Sequence, residues 1–185
     1  GEGGGARLAV VFASSVDTAR RLAALLRLAP SLRAAAAAAA ASPGGSLPPA
    51  EFSSSLSQKQ RQKLVKQCKA GKIRVLVSSD GMARGMDIPN VDYVINYDMP
   101  SSLRTYVHRV GRTARAGRSG TAVTMLKPGQ ERAFERLRSG LDRAAEVPAA
   151  AGPAGGALEA AMAAHEEEYR AALAGLEAEL ARRSG

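Results

Sequence analysis

Apolar residues follow two alternating rhythms along this chain. Leu8-Ala9-Val10-Val11-Phe12 is a short run with β-branched content, as a buried strand requires, and it stops at Ala13-Ser14-Ser15. Leu22, Leu25, Leu26 and Ala29 then recur at helical spacing until Pro30. Ala50-Glu51-Phe52-Ser53 reads as a second short strand. Ser57, with Gln60 three residues on, forms a capping-box signature, and Gly71 closes the helix that follows. That helix carries Leu64, Val65 and Cys68 on one side, with Lys59, Arg61, Lys63, Lys66 and Lys69 over the rest.

Ile73-Arg74-Val75-Leu76-Val77 predicts a strand ending at Ser78-Ser79-Asp80. Val91-Asp92-Tyr93-Val94-Ile95-Asn96-Tyr97 predicts another, ending at Asp98-Met99-Pro100. A short helix capped by Ser101 follows, containing Leu103, Tyr106, Val107 and Val110. Residues 120–126 complete the strands, and residues 130–138 form a further helix. Strands alternating with helices imply an α/β domain: a parallel sheet with helices on both faces, over about residues 6–140. Ligands in such folds sit at loops beyond the carboxyl ends of strands. Those loops lie at Ser14, Ser79, Asp98 and after Val110.

Two stretches break the rhythm. Residues 34–41 are all alanine, and Ser42-Pro43-Gly44-Gly45-Ser46-Leu47-Pro48-Pro49 follows, so residues 34–49 read as a low-complexity surface insertion. Residues 144–156 turn to Ala, Gly and Pro and read as a linker. The expected organisation is a domain over residues 1–143, the linker, and a helical extension over residues 157–185. In that extension Leu158, Met162, His165, Tyr169, Leu173, Leu176 and Leu180 fall at spacings of three and four. Its acid-rich polar face suits packing on the domain or on a protein partner better than a membrane.

Composition then narrows the function classes. The 185 residues carry 26 Lys and Arg against 17 Asp and Glu, a formal charge of +9. Residues 51–127 hold 14 of the cations and 5 of the anions, so the whole excess lies there. Such concentration favours a polyanion partner. A single cysteine, Cys68, excludes a disulfide framework and a cysteine-rich zinc site, and His165 stands without a companion ligand. No metal site is expected within this chain. No apolar stretch reaches the roughly 18 uncharged residues of a membrane span. Gly1-Glu2-Gly3-Gly4-Gly5 has neither an initiating Met nor a signal-peptide pattern, and reads as the start of a piece cut from something longer. A reducing, intracellular setting is the expectation.

Three segments carry candidate chemistry. Ser79-Asp80-Gly81-Met82-Ala83-Arg84-Gly85-Met86-Asp87 places carboxylates, glycines and an arginine at the end of a buried strand. Such a loop suits a phosphate or a sugar, with Gly85 permitting close backbone approach and Asp87 accepting from ribose hydroxyls. An ordinary strand-to-helix loop with a capping Asp has the same composition. His108-Arg109-Val110-Gly111-Arg112-Thr113-Ala114-Arg115-Ala116-Gly117-Arg118 holds four arginines in ten residues. Guanidinium groups bind phosphate bidentately, either catalytically on a transferred phosphoryl group or statically on a nucleic-acid backbone. Gln58-Lys59-Gln60-Arg61 opens the lysine-studded helix.

Taken in order, these segments resemble the second, C-terminal RecA-like domain of DEAD-box ATP-dependent RNA helicases, from about Leu8 to Leu126. Val10-Val11-Phe12-Ala13-Ser14-Ser15 looks like motif IV, and Gln58 to Arg61 fits the QxxR element. Ser79-Asp80 with Ala83-Arg84-Gly85-Met86-Asp87 resembles motif V. Val94-Ile95-Asn96-Tyr97-Asp98-Met99-Pro100 is similar to the family signature that follows, and His108 to Arg115 resembles motif VI. Ser79 stands where threonine is common, Ala114 where glycine is usual, and Ser14 in place of a frequent Asn.

The resemblance implies a RecA-like sheet in which Arg112 and Arg115 act as arginine fingers on the γ-phosphate of ATP. Gly85 and Asp87 would also lie at the nucleotide, Asp87 on its ribose. Ser15, Arg61, Ser79 and Gly85 would follow the RNA backbone, and Asp80, Arg84, His108 and Arg109 would couple the two sites. Neither a Gly-x-x-x-x-Gly-Lys-Ser/Thr loop nor an Asp-Glu-Ala-Asp element is present. In the family both belong to the first RecA-like domain, with the Mg²⁺ site. The expected partners are therefore RNA, ATP with Mg²⁺ and that first domain, with further protein partners at residues 157–185 and no membrane. This chain alone is expected to be inactive. Tyr106-Val107-His108, Thr113-Ala114-Arg115 and the acidic C-terminal helix resemble a nucleolar ribosome-assembly subgroup, which makes the nucleus or nucleolus the expected location and the cytoplasm the alternative. A non-enzymatic RNA-binding or scaffold module is the alternative function.

Overall fold

The computed structural model describes residues 7–29, 47–83, 88, 91–115, 117–141 and 163–184. Arg84, Gly85 and Asp87, most of the expected insertion and the expected linker lie outside the described residues. Strands β1 (Leu8–Ala13), β2 (Ala50–Phe52), β3 (Val75–Ser79), β4 (Val91–Asn96) and β5 (Thr121–Thr124) form one sheet of order β2-β3-β1-β4-β5. Every pairing is parallel. The helices are α1 (Val16–Leu28), α2 (Gln58–Lys69), α3 (Asp80–Ala83), α4 (Leu103–Val110), α5 (Glu131–Arg138) and α6 (Glu166–Ser184).

Side chains alternate along a strand, so each central strand supplies two cores. Leu8, Val10 and Phe12 of β1, Leu76 of β3 and Val94 of β4 pack with Leu64, Val65 and Cys68 of α2 on one face. Val11 and Ala13 of β1, Val77 of β3 and Ile95 of β4 face α1 on the other, meeting Ala19, Leu22, Ala23 and Leu26. Burial pushes the Cys68 thiol up to about 11, so it behaves as a small apolar side chain rather than a nucleophile. Helices therefore cover both faces, as the alternating pattern predicts.

Local signals account for several helix ends. Ser57 accepts from the Gln60 backbone N–H while the Gln60 side chain accepts from the Ser57 N–H, and Gly71 takes φ +68° just beyond α2. The N-cap of α4 is Ser102 rather than Ser101: the Ser102 hydroxyl accepts from the Thr105 N–H. Both serines fit a cap by type, and only the backbone geometry chooses between them. Helix α3 has no sequence period, being one turn, and the pattern does not anticipate it. The extension packs back through α6, which buries Ala172 and Leu176 and brings Gly175 to Leu28 of α1. Tyr169, expected on the apolar stripe, is exposed. Leu47, at the end of the expected insertion, bridges to Ile73 just before β3.

Candidate functional site

The sheet register lines up the carboxyl ends of the central strands. Ala13 pairs with Ser79, Phe12 with Asn96 and Asn96 with Thr124. Ser14, Asp80 and Asp98, each just past its strand, therefore share one edge of the sheet.

Arg109 of α4 joins them. Its side chain is fully buried, which demands a complete set of partners for the guanidinium. Nε donates to Asp80 Oδ1 at 2.5 Å and Nη2 to Asp80 Oδ2 at 2.8 Å, a bidentate ion pair. Nη1 donates to the Asp98 main-chain carbonyl at 2.7 Å and to Asn96 Oδ1 at 3.2 Å. The guanidinium carbon also lies 5.7 Å from the centre of the Phe12 ring. The Asp98 carboxylate accepts from the Ser14 N–H at 2.9 Å and from its hydroxyl at 3.0 Å. One buried arginine thus joins the loops after β3 and β4, and the Asp98 carboxylate ties the loop after β1 to them.

Of the RNA-contact candidates named from the sequence, Ser15, Arg61 and Ser79 fall among the described residues; Ser15 follows the carboxyl end of β1 and Ser79 closes β3. Ser15 caps α1, its hydroxyl accepting from the Thr18 N–H at 3.0 Å. Ser79 is buried at the end of β3. Arg61, in the first turn of α2, directs Nη1 to Met82 Sδ of α3 at 3.7 Å, a weak acceptor, and its buried Nε has no hydrogen-bond partner.

The arginine-rich segment follows a different path. Ligand loops were expected at the carboxyl edge, including the one after Val110, but the chain returns to the start of β4 instead. Helix α4 carries it there, and Thr113 fixes it. The buried Thr113 hydroxyl donates to the Val91 carbonyl at 2.6 Å, and the two residues form a parallel bridge. Gly120 passes so close that a Cβ there would lie 2.0 Å from Thr113 Oγ1 and 2.8 Å from the Ala114 nitrogen. Arg112 donates Nε to the carbonyl of His108, and Arg115 donates Nε to that of Gly111, at 3.2 and 2.6 Å. Both guanidinium stems are therefore anchored one turn back. Burial, and then the charge of Arg115, lower the Arg112 pKa from its ordinary value. Two like charges held together this way favour an anion beside them.

Ala114 sits between the two arginines at φ +54°, a conformation that disfavours a side chain with a Cβ. Ala114→Gly is expected to raise stability by about 0.5–1 kcal/mol, the left-handed penalty less the added freedom of glycine in the unfolded chain. Thermal unfolding checks this, and a lowered midpoint would contradict it.

Sequence reasoning assigned a site role to Asp80, His108 and Arg109 but none to Asn96 or Thr113, which it quoted only within their motifs. Asn96 carried a legible signal, a polar residue directly after the apolar Val94-Ile95 pair, and it is fully buried, donating to Thr124 Oγ1 at 3.0 Å. Among the described residues no group of three or more His, Cys, Asp and Glu could hold a metal, and no helix is long and apolar enough to cross a membrane.

A parallel sheet with this arginine-centred edge is the architecture of a RecA-like helicase lobe. The sequence profile of the helicase conserved C-terminal domain matches residues 6–117, and the chain belongs to that family. Its relatives are of the DEAD-box type. ATP-dependent RNA helicase DDX51 of Mus musculus is 55% identical over 95 residues, covering 51% of this chain and 15% of the mouse protein. DDX51 of Danio rerio is 45% identical over 131 residues, covering 71% of this chain and 18% of the fish protein. Among solved structures, the second DEAD-box helicase domain of Mss116p bound to an RNA duplex superposes with a TM-score of 0.57 at 34% identity, over 73% of this chain and 48% of that one. The chain thus spans less than a quarter of the length of these curated relatives.

Proposed function

We propose that this domain is the second lobe of an ATP-dependent RNA helicase, completing an ATP site and an RNA cleft whose other halves lie on a first RecA-like domain. The observation that carries this is the Arg112–Arg115 pair, two mutually repelling guanidinium groups on a loop stapled to the sheet by Thr113. In this reading they hold the γ-phosphate of ATP and stabilise charge developing on it during transfer. Gly85 and Asp87 would meet the nucleotide, Asp87 at its ribose; both assignments rest on the motif V resemblance. The Mg²⁺ ion that neutralises phosphate charge would be held by the first domain.

Ser15, Arg61, Ser79 and Gly85 would follow the RNA backbone along the carboxyl edge. Backbone contacts confer little base preference and a strong dependence on salt. The under-satisfied Arg61 guanidinium supports this assignment, since a phosphate would supply the acceptors that Met82 does not. Asp80, Arg84, His108 and Arg109 would couple the two sites. A role in ribosome assembly within the nucleolus rests on the subgroup resemblance. Protein partners would meet the side of α6 that faces away from α1; the first turn of α6 carries Glu166, Glu167 and Glu168.

Arg61→Ala in the full-length protein is the direct test of the RNA half. RNA affinity is expected to fall, and the slope of log affinity against log salt to flatten by about 0.7, one phosphate contact on a single strand. An unchanged slope would remove Arg61 from the interface.

A further inference from the structure

Asp98 touches both the β1–α1 loop and the buried arginine of α4. Its carboxylate holds Ser14 by two hydrogen bonds, at 2.9 and 3.0 Å, and its carbonyl holds Arg109 Nη1 at 2.7 Å. Its own backbone is fixed as well, because Tyr97 next to it donates its N–H to the Phe12 carbonyl at 2.9 Å. Ser14 precedes Ser15, the cap of α1, and Arg109 precedes the Arg112–Arg115 loop by three residues. The proposed nucleotide arginines follow the C-terminal end of α4, and Asp98 links Arg109 of that helix by hydrogen bonds to the turn that carries Ser15.

We infer that Asp98 is a positioning residue. It holds the Ser14–Ser15 turn where RNA can engage it, and keeps that turn in register with the arginine helix. This rests on the function proposed above. A carboxylate suits the task because one oxygen can accept from a main-chain N–H and a hydroxyl together, and charge strengthens both bonds. Alanine at position 98 leaves the Arg109 contact intact, since that uses the main chain, and releases Ser14 alone. The effect is therefore expected in RNA engagement more than in turnover at saturation.

The experiment is ATP turnover of the full-length protein titrated with oligouridine RNA, for wild type, Asp98→Ala, Asp98→Asn, Ser14→Ala and the Ser14→Ala/Asp98→Ala pair. Asp98→Ala is expected to raise the RNA concentration for half-maximal stimulation about tenfold, with a much smaller change in saturated turnover. Asp98→Asn keeps one acceptor oxygen and is expected to shift it about threefold, a partial rescue that mere damage to folding would not produce. Ser14→Ala is expected to produce a small shift that vanishes when added to Asp98→Ala. An RNA-stimulated wild type with a shift below twofold in Asp98→Ala, or Ser14→Ala adding in full, would overturn this inference alone. A wild type whose turnover ignores RNA would overturn the proposed function, and this inference with it.

Discussion

Replacing Arg115 by alanine in the full-length protein is expected to cut RNA-stimulated ATP turnover by about 10³-fold or more, the scale of an arginine finger. The size follows from when the interaction exists. In the separated domain Arg115 donates Nε to the Gly111 carbonyl and shares its neighbourhood with Arg112, whose pKa is lowered by burial and by that proximity. In the proposed function a γ-phosphate on the facing domain would add its anionic oxygens only when the cleft closes, and charge on the transferred group would then be stabilised. An interaction strengthened in the transition state raises turnover, whereas one equal in ground and transition states alters binding alone. Nucleotide-free RNA affinity is therefore expected to change far less in Arg115→Ala than in Arg61→Ala. Steady-state turnover and RNA titrations of both variants make the comparison. Intact turnover with lost RNA binding in Arg115→Ala would make the arginine cluster a backbone-binding patch.

The second large effect concerns stability. Breaking the Arg109–Asp80 pair is expected to cost about 3 kcal/mol or more, because removing one partner strands the other's charge. The two halves are not equivalent. The Arg109 side chain is 0% exposed and the Asp80 side chain 28%. In Arg109→Ala the orphaned carboxylate can recover some hydration, whereas in Asp80→Ala a guanidinium is left charged in the interior with only Asn96, the Asp98 carbonyl and the Phe12 ring. Asp80→Ala is therefore expected to be the more destabilised. Urea unfolding of both variants checks the order. Near-native stability in both would mean that the pair does not organise this edge.

The contrast between these two arginines shows what a sequence carries about this fold. The strands were legible because Val10, Leu76 and Val94 sit in short apolar runs, and burial on both faces needs no finer pattern. The α2 cap was legible because Ser57 and Gln60 are three residues apart and act locally. Arg109 was legible as one arginine of a cluster, but its burial was not, since its partners Asp80, Asn96 and Asp98 lie 29, 13 and 11 residues away. The path of the Arg112–Arg115 loop was misjudged for a related reason. Its direction is set by a Thr113 hydroxyl reaching Val91, 22 residues back, and by the close passage of Gly120. Ala114 stood out only as a departure from a motif, and its positive φ supplies the physical reason why glycine suits that position. Tyr169 fitted the helical stripe of the extension by spacing, yet it is exposed, while Ala172 and Leu176 are buried and Gly175, with no side chain, passes close to Leu28 of α1.

A composite ATP site divided between two domains is tested most directly by one assay, ATP turnover of the 185-residue chain by itself, with saturating RNA and Mg²⁺. The expected result is hydrolysis at the buffer background, restored when a first RecA-like domain is supplied in the same polypeptide and lost again in Arg115→Ala. RNA-stimulated turnover by the isolated chain, sensitive to Arg115→Ala, would place a complete ATP site within these residues and contradict the shared-site account.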